Sequence, residues 1–336
     1  MITNSPSLNL PKLLLITLYS ALAGIFVKET SNPLPNRIGS YEFKKNVEKI
    51  GTKAPFSLAV YQNSKGKKVF AKIWNGNIKD FNYYTFQNEI TMYKILNKVT
   101  KRVGNSIPEK LKKMYIPILI KKVQKENSLI AISEFVPGTV AKKLPTKKKL
   151  QIYLKTTEFI KFLGNQMTDK EKSLVSQRNV SHYVFLYPLL LAKAIFTHPR
   201  AAGLLVRAMP YFVRAIPALL REPVVLVHRD LHFRNILVAK NRINLIDLQY
   251  CVFTQAIYEL ITTLRYRWNE DGFPRLLLRE IKKQYSQSPE FEVLFKGLSI
   301  NSLTHGLTDN NFTKAKIDNW IDFLKFISQP KLKLEK

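Results

Sequence analysis

A chain of 336 residues, 46% of them hydrophobic, is long enough to bury a large core. It carries 54 Lys and Arg against 24 Asp and Glu, and the resulting net charge of +30 exceeds what solubility requires, so an anionic partner is expected: membrane lipid, phosphorylated substrate or nucleic acid. A single cysteine, Cys251, excludes a disulfide framework and a cysteine-based zinc site and suits a reducing compartment.

Met1 to Pro11 holds no charged side chain, and Lys12 precedes an uncharged run from Leu13 to Val27. As a helix that run spans about 22 Å, short of a hydrocarbon core of about 30 Å. Residues 1–35 are therefore read as an apolar segment and candidate membrane-associated helix, with interfacial, domain-packed and anchoring placements all open. Should the run insert, Lys28, Arg37, Lys44 and Lys45 on its far side keep the remainder cytoplasmic. Ala21-Leu22-Ala23 has the small-x-small look of a signal-peptide cleavage site.

Short strands are predicted over Asn46–Gly51, Ser57–Gln62 and Val69–Trp74, with a turn at Asn63-Ser64-Lys65-Gly66 between the last two. Lys72 sits on the third strand. A helix follows over Asn82–Lys98, apolar at Ile90, Tyr93, Ile95 and Leu96, with Glu89 among its polar positions. Ser128–Ser133 reads as a strand running into Glu134-Phe135-Val136-Pro137-Gly138, where Pro137-Gly138 ends it sharply. Lys147–Met167 has the period of a core helix.

From there to Arg221 the composition changes. No acidic residue occurs between Lys172 and Arg221, while Lys193, Arg200, Arg207, Arg214 and Arg221 recur at seven-residue steps that nearly align on one helical face. Pro199, Pro210 and Pro217 argue for short segments with basic edges over one continuous helix. Core helices with solvated charges are one reading; a surface for anionic lipid or a phosphorylated glycan is the other.

Val225 to Val238 then places an apolar strand, a polar turn with Asp230 and Asn235, and a second strand; Ile243-Asn244-Leu245-Ile246 forms a third that ends on Asp247. Two carboxylates and an amide thus stand at strand ends, where a plain sheet gains nothing from them. Such oxygen donors suit a hard magnesium ion, and a carboxylate not consumed by metal can accept a hydroxyl proton. Beyond Asn269, Leu277, Leu278, Ile281, Ile317, Trp320, Phe323 and Leu324 fall at helical spacing and finish a core. The last residues, Lys331 to Lys336, form a basic tail.

The run His228-Arg229-Asp230 with Asn235 five residues on, then a strand ending in Asp247, resembles the catalytic loop and metal aspartate of the protein-kinase-like superfamily. The resemblance implies an α+β, bilobal protein-kinase-like fold with a small antiparallel-sheet N-lobe (36–136, nucleotide-binding) and a mainly helical C-lobe (137–336, catalytic loop and substrate). It implies that Asp230 orients or deprotonates the acceptor hydroxyl, that Asn235 and Asp247 hold magnesium, that Lys72 holds nucleotide phosphate with Glu89 as its partner, and that the backbone at Glu134 and Val136 meets adenine. ATP and magnesium are the implied cofactors, and an ATP-dependent enzyme argues against secretion.

Within the superfamily the details select a branch. Gly51-Thr52-Lys53-Ala54-Pro55-Phe56 has one glycine where protein kinases use several, as in the aminoglycoside and choline kinase relatives. Eleven residues separate Asp247 from Glu259, with no Ala-Pro-Glu element, so a long activation segment has no room. Tyr258-Glu259-Leu260 stands where aminoglycoside-kinase relatives carry an Asp-Leu pair that buttresses the catalytic loop. His-Arg-Asp-Leu with Ile-Asp-Leu-Gln looks like the lipopolysaccharide core-sugar kinases, whereas His232 is typical of the aminoglycoside group. The expected activity is phosphoryl transfer from ATP to a hydroxyl of a small molecule or membrane glycolipid, in the cytoplasm or at the inner face of the membrane. A catalytically weak adaptor for anionic membrane or nucleic acid, and a compact atypical protein kinase, are the alternatives, with nucleic acid the less favoured partner.

Overall fold

The computed structural model describes residues 34–47, 56–74, 81–125, 128–270, 272–285, 287–307, 313–329 and 332. The apolar run 13–27, the phosphate-loop positions 51–55, residues 48–51 of the first expected strand and most of the basic tail lie outside them.

In chain order the strands β1 (Arg37–Ile38), β2 (Tyr41–Asn46), β3 (Phe56–Gln62) and β4 (Lys68–Trp74) precede helix α1 (Phe81–Val103). Next come β5 (Met114–Tyr115), β6 (Leu119–Lys125), β7 (Ser128–Glu134) and β8 (Thr139–Val140). Helices α2 (Thr146–Asn165), α3 (Asp169–Lys172), α4 (Val180–Thr197) and α5 (Pro199–Arg221) follow. The motif region supplies β9 (Val224–Val227), β10 (Ile236–Val238), β11 (Ile243–Leu245) and β12 (Val252–Gln255). The chain closes with α6 (Ala256–Arg267), α7 (Phe273–Gln284), α8 (Phe291–Leu307) and α9 (Lys314–Ile327).

These elements form two compact units. The first comprises Met1–Ala141, Phe162–Ser176 and Phe233–Cys251. Its larger sheet is antiparallel throughout, in the order β1-β2-β3-β4-β7-β6. Alternation in β3 and β4 sends Ala59, Tyr61, Val69, Ala71 and Ile73 into one buried cluster, while Phe56, Trp74, Phe86, Ile90 and Leu129 form a second that includes residues of α1. A smaller sheet, β5-β11-β10-β8, carries the segments around Asn235 and Asp247. Gly138 lets β8 approach β10: a Cβ there would stand 3.1 Å from the Val238 carbonyl oxygen.

The first strand begins earlier than expected: β2 pairs with β3 from Glu42 to Asn46, with Phe43 packed edge-on against Tyr61, and the Val47 amide donates to the Leu58 carbonyl at 2.8 Å. The expected helix after β4 continues to Val103, where Arg102 is held by Glu171.

The second unit is mainly helical and comprises Lys142–Lys161, Gln177–His232 and Val252–Lys336. Helix α8 is buried along almost its whole length. Packing of α8 on α5 is close at Gly297, where a Cβ would fall 2.2 Å from that of Ala215. The segment read as short pieces is instead two long helices, α4 and α5, with Pro188, Pro210 and Pro217 inside them. Pro199 occupies the first turn of α5, where a missing N–H costs nothing. The internal prolines lie on exposed positions, as do Val184, Val206 and Val213, the residues whose carbonyls lose a donor. The proline side of each helix is thus its exposed side, and burial of the opposite faces offsets the lost hydrogen bonds.

Candidate active site

Strand β4 delivers Lys72 to the interior of the first unit, 9% exposed, with Leu58 and Ala131 as its register partners on β3 and β7. A lysine is costly there without partners. Its ammonium lies 2.7 Å from Glu89 Oε2, 2.9 Å from Asp247 Oδ1 and 3.2 Å from Gln249 Oε1, and 4.5 Å from the centre of the Phe56 ring. Burial works to lower its pKa, but the Asp247 and Glu89 carboxylates outweigh it and hold the ammonium above the usual lysine range. Burial pushes the Glu89 carboxyl up, against the pull of Lys72.

Helix α1 also steadies the far side of this cluster. Asn88 donates to the carbonyls of Gln249 and Cys251 at 2.9 and 3.1 Å, and the Asp247 amide donates to the Tyr93 hydroxyl at 3.3 Å. Asp247 itself adopts the left-handed region, φ 62°. The Ile246 amide donates to the Asn235 carbonyl at 3.0 Å, so the backbone draws the segments bearing Asn235 and Asp247 together. An amide oxygen and a carboxylate are the hard donors that magnesium takes while keeping its remaining positions for water and phosphate, so these two residues fit that ion. Among the described residues no group of three or more His, Cys, Asp or Glu could hold a metal alone.

Glu134 closes β7 with its backbone amide donating to the Ile118 carbonyl. Its side chain accepts from the Tyr115 hydroxyl and from Arg242 at 3.0 Å, with Arg242 stacked 4.4 Å from the Tyr115 ring centre. Burial would raise the Glu134 carboxyl, yet these hydrogen bonds hold it below the usual carboxylate range. Val136, two residues on, is buried.

In the second unit β9 pairs antiparallel with β12, and the loop after β9 carries Asp230. Arg229 is the other described non-glycine residue with positive φ, 63°. Its amide donates to the buried Glu259 side chain on α6, whose carbonyl in turn accepts from Tyr153 at 3.1 Å. Asp230 Oδ1 lies 3.0 Å from His232 Nε2, and the His232 ring packs edge-on against Tyr266.

The structure thus brings Lys72, Glu89 and Asp247 into direct contact and joins the Asn235 and Asp247 segments. It places Asp230 with His232, and Glu134 and Val136 at the end of β7. Sequence reasoning passed over Asn88, Tyr93 and Gln249. Tyr93 lies four residues beyond Glu89 on the same helical face, a spacing that could have marked it, whereas Asn88, adjacent to Glu89, carries no such signal.

Residues 123–292 match the phosphotransferase enzyme family. A thermostable mutant of aminoglycoside phosphotransferase APH(4)-Ia, crystallised with AMP-PNP and hygromycin B, is 14% identical, superposes with a TM-score of 0.59 and covers 87% of this chain and 95% of its own. The streptomycin-ATP complex of APH(2")-IIa is 15% identical with a TM-score of 0.52, covering 84% and 91%. The amicoumacin kinase hAmiN, in complex with AMP-PNP, Ca2+ and amicoumacin, is 12% identical with a TM-score of 0.51, covering 97% and 96%. At such identity the likeness shows the fold. No curated protein sequence matches the chain.

Proposed function

The chain belongs to the phosphotransferase enzyme family, and on that premise we propose how its residues divide the work of an ATP-dependent small-molecule phosphotransferase. Residues 36–136 bind nucleotide and residues 137–336 supply the catalytic loop and acceptor contacts. Lys72, set by Glu89, neutralises nucleotide phosphate; the backbone around Glu134 and Val136 receives adenine; Asn235 and Asp247 hold magnesium. When bound, the ion neutralises charge developing on the transferred phosphoryl group. Asp230 orients the acceptor hydroxyl and accepts its proton, with His232 fixing the carboxylate and Glu259 fixing the loop backbone. The observation that carries this reading is the buried contact of Lys72 with both Glu89 and Asp247.

The acceptor we favour is a hydroxyl of a sugar or membrane glycolipid, phosphorylated at the inner face of an anionic membrane. The net charge of +30 and the acid-free stretch from Ser173 to Arg221 support an anionic acceptor environment. Transfer of labelled phosphoryl from ATP to a panel of free sugars, lipid-linked glycans and aminoglycosides tests it. Labelling of glycans is expected; exclusive labelling of aminoglycosides would refute the acceptor class, and no labelling of any hydroxyl compound would refute the activity.

A further inference from the structure

The second unit displays an apolar face that the proposed chemistry does not use. Helices α4 and α5 pack on each other and on α8, and their inward sides bury Tyr183, Leu186, Tyr187, Leu205, Phe212 and Leu219. The outward sides are also apolar. Phe185 is 58% exposed, Phe196 87% and Leu220 70%, and Leu189, Val206 and Val213 are 46%, 48% and 52% exposed. A soluble surface helix would place polar residues there. Lys193, Arg207 and Arg214 are exposed on the same two helices, and no acidic side chain interrupts the sequence from Ser173 to Arg221.

We infer that the outward face of α4 and α5 is a docking surface for an anionic phospholipid bilayer, on which the enzyme lies peripherally. Both helices are long and apolar enough to cross a membrane by length and composition. Spanning would pull their inward side chains away from α8 and break the buried core of the second unit. Lying in the interface keeps that core and gives the outward phenylalanines and aliphatic groups a medium to enter, while the basic side chains reach lipid phosphates. A second copy is the poorer occupant: a two-fold contact would set the cationic groups of one face against those of the other. Pro188, Pro210 and Pro217 each leave a helical carbonyl without its backbone donor, which suits the hydrated headgroup layer and not the hydrocarbon core.

The inference rests on the glycolipid reading above but is tested separately from it. Full-length protein is floated with phosphatidylcholine vesicles that contain or lack phosphatidylglycerol, beside the double variants Phe185→Glu with Phe196→Glu and Arg207→Glu with Arg214→Glu. Wild type is expected to bind only the anionic vesicles, and each variant to lose about tenfold or more in partitioning. Because Cys251 is buried, a thiol introduced by Ala192→Cys accepts an environment-sensitive dye selectively, and its emission should shift blue on anionic vesicles. This second measurement stands even if the charged variants fold poorly. Variants that bind as wild type does, a dye that does not respond, or a wild type that dimerises in solution and ignores vesicles would each overturn the docking surface. Stabilisation by magnesium-ATP is read in parallel: its persistence without vesicle binding sinks the surface alone, and its absence sinks the nucleotide reading.

Discussion

Lys72 is buried with two carboxylates and an amide oxygen as its partners. Lys72→Met should lower kcat/KM for ATP by about a hundredfold, as expected on removing a preorganised charge from a transferring phosphate, with steady-state kinetics as the measurement. Unchanged kinetics would remove Lys72 from the nucleotide site. Glu171 is a structural counterpart. Bidentate hydrogen bonds from Arg102 at 2.9 Å and the capping-box amide of Thr168 at 2.8 Å hold its carboxyl down to about 2. Its folded pKa lies below the ordinary value of 4.5, so its contribution to stability is present above about pH 4.5 and lost as pH falls toward 2. Glu171→Gln should cost about 1–3 kcal/mol at neutral pH and flatten the acid limb of the stability curve in thermal melts.

These residues differed in how readily the sequence disclosed them. Asp230, Asn235 and Asp247 stood out because polar groups at the ends of apolar strands lack a packing reason. Asn88 and Gln249 did not, since what they hold is backbone carbonyl and ammonium brought close only by the fold. The left-handed backbone of Arg229 was also hidden, because arginine carries no preference for that region.

At the level of elements, Glu259 shows why α6 begins where it does: its first turn puts a buried acceptor under the Arg229 amide. Glu259→Ala leaves that amide unmet beside a strained residue, and turnover should fall more than tenfold, about 1.4 kcal/mol or greater in barrier, while the affinity for magnesium-ATP stays constant. The contact between α5 and α8 makes a different demand. Gly297→Ala should destabilise by about 1–3 kcal/mol through overpacking, and Ala215→Gly in the same chain should restore part of it. Strands β3, β4 and β7 and the helix bearing Glu89 were readable from periodicity. The continuity of α5 through Pro210 and Pro217 was not, because what offsets the proline cost is tertiary burial of its other face.

For the whole molecule, a sheet-based unit with the buried Lys72 cluster and a mainly helical unit bearing Asp230 constitute a phosphotransferase of the kinase-like fold. Magnesium-ATP at a hundred times its Kd should stabilise the native state by about 2.7 kcal/mol, visible as a concentration-dependent rise in Tm, and Asp247→Ala should abolish the magnesium-dependent part. The central chemical assignment is that Asp230 serves the acceptor hydroxyl. Single-turnover phosphoryl transfer from bound magnesium-ATP to a productive acceptor, compared between wild type and Asp230→Asn, tests it most directly. The transfer rate should fall by about a hundredfold to ten-thousandfold with nucleotide affinity unchanged. An equal rate in the two proteins would contradict it.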